Sequence, residues 1–438
     1  MTVKSGYPLI AHQSLDAVVA YRNGRKITAK EFINDAYKIA ATLPNKQHVL
    51  NTCQDRYHFA VGFAATLLAE CISLMPSSLT AETLKTLAVL APGFTTLEDR
   101  KITTLCGSTS NTLQDIPMIK GDQLAAWVFT SGSTGTPLPH AKTWGSLVKN
   151  VRVEAARLGL LDGRAHSIIG TVPPQHMYGF ESTVLVALQS GAAFDAAHPF
   201  YPADICSAIA ALPQPRLLVT TPYHLNSLLS SGIQMAAIDL VVSATAPLSK
   251  ELAREAENSL QAPLLEIYGC TETGQLATRR PTETEEWQLF NHINLAKDGD
   301  KIIASGGHIE QPVTLSDRIE ITREGCFLLH GRADDMINIA GKRSSFAYLN
   351  HQLTTLPGVE DGTFFMPSDV TEGKITRLTA FVVAPHLTAP TLIKTLRERI
   401  DPVFLPRPLI FVDALPRTKT GKLPHAALIN LAKANRLQ

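Results

Sequence analysis

AAWVFTSGSTGTP, residues 125–137, runs from a short apolar strand pattern straight into a loop of glycine, serine and threonine. The run AAWVFT is the length of a buried strand. Gly132 and Gly135 let backbone N–H groups turn inward, and the hydroxyls of Thr130, Ser131, Ser133 and Thr134 add donors. A loop of that make-up at a strand's end can cradle phosphate oxygens. It can also be an ordinary turn. No G-K-[ST] closes it, so a P-loop kinase or NTPase is not indicated.

The text on either side repeats the strand pattern. HSIIGTV (166–172), AAFDAA (192–197), RLLVT (216–220), DLVVSA (239–244) and LLEIYG (264–269) are strand candidates. ADICSAIAAL, YHLNSLL and KELAREAENSL, between the later ones, have helical spacing. Such alternation predicts α/β architecture, a parallel sheet covered on both faces. Upstream, AKEFINDAYKIAATL and HFAVGFAATLLAE read as helices around the strand-like QHVLNTC. Around 300–332, KIIASGG, DRIEIT and CFLLHG predict a small β region. After Asp334 the texture changes to a compact α+β unit of about 100 residues, a plausible domain size.

The chain has 438 residues, 45% of them hydrophobic and 18% charged, enough apolar material for a sizeable core. Net charge is +1, which does not support a general nucleic-acid binder. The balance hides an asymmetry. Residues 335–438 carry 13 Lys and Arg against 8 Asp and Glu, a net of +5, and the remainder carries −4. No acidic residue follows Asp413, whereas Arg417, Lys419, Lys422, Lys433 and Arg436 do. Six scattered cysteines with no C-x2-4-C spacing fit a reducing cytosol rather than a zinc ribbon or redox pair. No secretory leader and no 18-residue uncharged apolar run is seen, so the expected location is cytoplasmic, without a membrane span.

Three further segments carry chemistry. Glu266-Ile267-Tyr268-Gly269-Cys270-Thr271-Glu272-Thr273-Gly274 follows a predicted strand, where open α/β sheets hold ligands. A tyrosine can stack on a base, a threonine can bond phosphate, and a glutamate can hold Mg²⁺ through oxygen. The alternative is a strand–turn–helix junction with Thr271 or Thr273 as N-cap. Asp317, with Arg332 in His330-Gly331-Arg332-Ala333-Asp334-Asp335, can bind sugar hydroxyls, or the two can be surface ions. Lys422, in Leu415-Pro416-Arg417-Thr418-Lys419-Thr420-Gly421-Lys422, can reach a cleft as a mobile charge, or belong to a solvated basic tail.

In this order and spacing the four blocks resemble the adenylate-forming superfamily: acyl- and aryl-CoA synthetases, peptide-synthetase adenylation domains and beetle luciferases. The likeness runs from Phe129 to Lys422, about two thirds of the chain. It implies a large N-terminal domain, 1–334, and a small mobile C-terminal domain, 335–438, hinged at Asp334. It implies roles as well. Thr130, Ser131, Gly132, Ser133, Thr134 and Gly135 form the phosphate loop. His176, in Pro174-Gln175-His176-Met177-Tyr178-Gly179, sits at the acyl pocket, unless it is simply a buried, satisfied histidine. Ser243-Ala244-Thr245-Ala246-Pro247 flanks adenine and the acyl pocket, with Ala244 and Thr245 where the family usually has glycines. Tyr268 stacks on adenine beside Gly269, Thr271 contacts the α-phosphate, and Glu272 holds Mg²⁺. Asp317 and Arg332 bind ribose. Lys422 is the adenylation lysine, and Gly341 lines the pantetheine tunnel after rotation.

The implied activity is ATP-dependent conversion of a carboxylic acid to an acyl-AMP, then transfer to a thiol of CoA or of an acyl carrier protein's phosphopantetheine. A luciferase-like oxidation shares the first step, and a non-catalytic acyl- or nucleotide-binding member is the non-enzyme reading. Leu138 stands where the phosphate loop usually continues with lysine, and Lys142 is a nearby cation that can take its place. His425 stands where an arginine is common. The short segment before the loop and the text GKRSSFAYLN resemble synthetases of bacterial aryl-polyene pathways, which implies an aromatic acid.

Overall fold

The computed structural model describes residues 6–436 except 46, 77–78, 80, 107–114, 132–136, 300, 333–335, 340–341, 367–377 and 419–420. The chain divides into two compact units. The larger holds residues up to Gly299 with Ile303–Thr314 and Arg323–Cys326; the smaller holds Asp300–Ile302, Leu315–Thr322 and Phe327–Gln438.

The larger unit contains two mixed sheets. One orders its strands as Thr95–Leu97, His48–Asn51, Ile72–Met75, Leu124–Ser131 and Pro137–Thr143, parallel except for the last. The other includes Leu264–Cys270, Leu240–Ser243, Arg216–Thr220, Ser167–Gly170, Ala193–Asp195 and Val18–Arg22, six neighbouring parallel strands. An antiparallel strand flanks this set on each side, Gly274–Arg279 on Leu264–Cys270 and Arg25–Thr28 on Val18–Arg22. The alternation of strand and helix is as the sequence predicts, but the strand before the Gly-rich loop lies in a different sheet from the parallel strands between 167 and 270. Periodicity marks a strand and does not choose its partner.

Side chains alternate across the second sheet, as a pleat requires. Leu217, Val219 and Val242 face a core shared with helices Ala29–Ala40, Arg56–Leu68 and Trp144–Arg157. Leu218, Val241 and Leu264 face helices Pro202–Ala211, Pro222–Ser230 and Lys250–Leu260. The helices start on side-chain caps. Thr28 and Glu31 form a reciprocal capping box, and Asp55, Thr143, Thr221 and Ser249 each accept a backbone N–H of the first turn. Arg56, fully buried, donates to the carbonyls of Asp195, Ala197, Gly170 and Val172, joining helix Arg56–Leu68 to the second sheet.

Between 293 and 332 the chain makes the strands Ile293–Asp298, Lys301–Gly306, Val313–Leu315, Asp317–Arg323 and Cys326–Arg332, the expected β region. The smaller unit is α+β. Strands Asp361–Phe365, Thr379–Val383 and Leu409–Phe411 form a sheet. Helices Phe346–Thr354 and Ala389–Arg397 pack on it through Leu349, Leu353, Leu392 and Leu396. The six cysteines are free thiols. Among the described residues no helix is long and apolar enough to cross a membrane.

Candidate functional site

Two hairpins build the centre of the larger unit's site. The first is Leu124–Ser131 with Pro137–Thr143, antiparallel, Thr130 opposite Leu138 and Ser131 opposite Pro137. Its tip, including Gly132, Ser133, Thr134 and Gly135, lies outside the described residues. The second is Leu264–Cys270 with Gly274–Arg279, and Thr271, Glu272 and Thr273 form its turn. The junction is therefore strand–turn–strand, which corrects the helix alternative: neither Thr271 nor Thr273 caps a helix. Local residue types fit both outcomes, and the antiparallel partner strand decides between them.

Gly269 is required by that hairpin. A Cβ there would lie 2.3 Å from the Gly274 carbonyl oxygen and 2.8 Å from Gln275 Cα. The backbones approach too closely for any side chain.

Glu272 is half-exposed, and its Oε1 lies 3.7 Å from His140 Nε2 on the first hairpin. Lys142, two residues further, is only 8% exposed, and its Nζ donates to the Glu272 carbonyl at 2.7 Å. Burial lowers the Lys142 pKa, opposed by Glu181, Cys270, Glu310 and Glu272. Lys142 is thus engaged at the second hairpin. Asn150 holds the same hairpin further along. Its amide donates to Glu181 at 2.7 Å, and its carbonyl accepts from the Gln275 N–H at 3.2 Å. Gln275 in turn donates to Glu154 and Ser182, both at 3.0 Å. Glu181 and Ser182 come from a π-helical stretch, Phe180–Leu185, an element frequent at functional sites. Burial pushes the Glu154 carboxyl up to about 8 and that of Glu181 up to about 7.

The remaining segments follow the C-terminal ends of parallel strands of the second sheet, where open sheets place ligands. His176 follows Ser167–Gly170 and is half-buried; its Nδ1 accepts the Tyr178 N–H at 3.3 Å. Tyr178 is buried and donates to the Val242 carbonyl at 3.0 Å. Ser243 and Ala244 are buried, whereas Ala246 and Pro247 are exposed. Thr245 has φ +80°, strained for a β-branched residue and natural only for glycine. Glu266, buried, accepts from Arg279 at 2.7 Å and from the Leu248 N–H at 3.1 Å, tying this loop to the second hairpin. Tyr268 packs on Trp287, ring centroids 5.6 Å apart, and Arg279 covers Trp287 at 4.6 Å.

A model of AMP-binding enzymes matches residues 47–301, and one of their C-terminal domain matches residues 351–422. The chain belongs to the AMP-binding enzyme family. It is 29% identical over 312 residues to a 4-coumarate–CoA ligase of Rhodobacter capsulatus, covering 70% of this chain and 77% of that one. It is 25% identical over 367 residues to a 3-hydroxybenzoate/4-hydroxybenzoate–CoA ligase of Thauera aromatica, covering 74% and 69%. The fold matches Bacillus subtilis o-succinylbenzoate CoA synthetase in complex with its acyl-adenylate, with TM-score 0.82, 18% identity and coverage of 97% and 98%. As an AMP-binding enzyme, the chain is an acid–thiol ligase: it activates a carboxylic acid with ATP to an acyl-AMP and forms a thioester.

The other expected residues of this AMP-binding enzyme fall in its smaller unit or outside the described residues. Asp317, half-buried, opens the strand Asp317–Arg323, and Arg332 closes Cys326–Arg332. Both belong to the smaller unit, as does Lys422. Lys422 is exposed on a closed turn: its carbonyl accepts the Thr418 N–H at 2.8 Å, and Gly421 has φ +77°. Arg417 braces that turn, donating to Gly421 O at 2.9 Å and to Asp361 at 2.6 and 2.7 Å. Asp334 and Gly341 lie outside the described residues.

Sequence reading missed Lys142, Asn150, Glu154, Glu181 and Arg279 as parts of this network. The available signal was a charge inside an apolar or strand-like run, as at Glu266 in LLEIYG, since buried charge requires a partner. Glu272 suits Mg²⁺: its carboxylate supplies hard oxygen and retains exposure. Among the described residues no group of three metal-binding side chains occurs, and Mg²⁺ held by one carboxylate plus substrate phosphates needs none.

Proposed function

We propose that this enzyme activates an aromatic acid, of hydroxybenzoate or cinnamate type, and passes it to a phosphopantetheine thiol, on CoA or an acyl carrier protein, in the cytoplasm. The approach of the Glu272 turn to the strand after the Gly-rich loop carries the nucleotide half of the reading. The aligned relatives, named for coumarate and hydroxybenzoate, support the acid class. Placement in the aryl-polyene subgroup is the narrower form of the same reading.

Carboxylate oxygen attacks the α-phosphorus, the bond to pyrophosphate breaks, and a thiol then displaces AMP from the acyl carbon as its proton is lost. Two anions must meet in the first step, so the site's task is positioning and charge. The backbone and hydroxyls of 130–135 hold the terminal phosphates, and Thr271 contacts the α-phosphate. Tyr268 and Gly269 border adenine with Ala246 and Pro247; Asp317 and Arg332 take the ribose. His176, Ser243, Ala244 and Thr245 border the acid. Lys422 brings a positive charge to the reacting oxygens, and domain rotation at Asp334, between 1–334 and 335–438, exchanges it for Gly341 at the thiol tunnel. Mg²⁺ on Glu272, when bound, supplies further positive charge to the phosphates.

Acid-dependent ATP–pyrophosphate exchange over a panel of benzoates, cinnamates and aliphatic acids tests the reading. Exchange with aliphatic acids alone would end the aromatic assignment. Loading of CoA against an acyl carrier protein then identifies the acceptor. An acidic carrier steered to the +5 residues 335–438 loads more slowly as salt rises, and a flat response refutes that docking.

A further inference from the structure

We propose that Lys142 is a positioning residue for the Glu272 turn, holding it at the depth where its carboxylate serves the metal–nucleotide complex. The inference rests on the reading of Glu272 as the Mg²⁺ carboxylate. Lys142 Nζ lies 2.7 Å from the Glu272 carbonyl oxygen, and the side chain is nearly fully buried. A charged donor in such a place makes a stronger bond than a neutral one. The strand carrying Lys142 has a bulge beside it: Leu124 pairs with Thr143 and Ala126 with Lys142, so Ala125 is extra. Bulges re-aim neighbouring side chains.

The bond links the strand that leaves the Gly-rich loop to the backbone of the residue whose carboxylate faces out. The turn is then held twice, by Lys142 at Glu272 and by Asn150 at Gln275. Losing the first hold lets Glu272 move while Asn150 keeps the hairpin's strand in place. The consequence is confined to ligands that need the Glu272 carboxylate, so Mg²⁺-free nucleotide is the internal control.

The experiment compares ATP affinity of the full chain with and without Mg²⁺, by calorimetry with EDTA as the metal-free arm. Lys142→Met keeps the stem and removes the donor. The gain in ATP affinity on adding Mg²⁺ is expected to fall about fivefold or more, with metal-free binding within twofold of the parent. An unchanged gain, or equal weakening in both arms, overturns the proposal. If the parent shows no gain with Mg²⁺, the Glu272 reading itself fails, and the two failures are thereby distinct. Should Lys142→Met not fold, Lys142→Gln, neutral and one atom shorter, is put through the same titrations. Its gain is expected to fall about threefold, and an unchanged gain again overturns the proposal.

Discussion

Replacing Gly269 by alanine puts the smallest side chain where two backbones already touch. The added Cβ would sit 2.3 Å from the Gly274 carbonyl oxygen, about 1 Å inside ordinary contact, and both atoms are held by paired strands. The hairpin therefore opens at the end that carries Thr271 and Glu272. Over-packing of this kind costs about 1–3 kcal/mol, so a thermal melt should shift down by a few degrees without loss of the fold. A displacement near 1 Å at a site that works by positioning costs on the order of 10²-fold in rate. Acid-dependent ATP–pyrophosphate exchange should fall by about that factor. Exchange within threefold of the parent, in a protein whose melting temperature has dropped, would refute the claim that hairpin geometry sets the position of Glu272.

Lys422→Ala should slow adenylation by about 10² or more while thiol transfer from supplied acyl-AMP persists, and equal losses in both half-reactions would remove Lys422 from its assigned role. Glu154 is buried with its carboxyl pushed up to about 8, so the folded chain binds more protons than the unfolded chain between about pH 4.5 and 8. Stability is therefore lost as pH rises through that window, by up to about 1.4 kcal/mol per unit, and Glu154→Gln should remove this slope. A melting-temperature difference between parent and variant that stays constant from pH 5 to 8.5 would contradict it. Arg56→Met leaves buried carbonyls of Gly170, Val172 and Asp195 without their donor and should cost about 4 kcal/mol or more. A loss under about 1 kcal/mol in urea unfolding would show that the chain re-satisfies them.

Element types were legible in the sequence because period and length are local properties. LLEIYG and RLLVT read as strand candidates, and the Gly- and Thr-rich segments carried residue types suited to phosphate and nucleotide as well as to ordinary turns. The fold class followed from the strand–helix alternation, and the ligase activity from the resemblance of those segments, in their order, to the adenylate-forming superfamily. Pairing was not legible. Only the assembled sheets place Leu124–Ser131 apart from Leu264–Cys270, and only the strand Gly274–Arg279 turns Thr271–Thr273 into a hairpin tip rather than a helix cap. The same holds for charge. From sequence, Lys142 is one cation near a Gly-rich loop that lacks its usual lysine. Folded, it is a buried donor to the Glu272 carbonyl, because residues 130 apart in the chain lie 2.7 Å apart in space. Local patterns determine what each segment is; long-range contacts in a low-dielectric interior decide which charges are free to meet a substrate and which hold the site in shape.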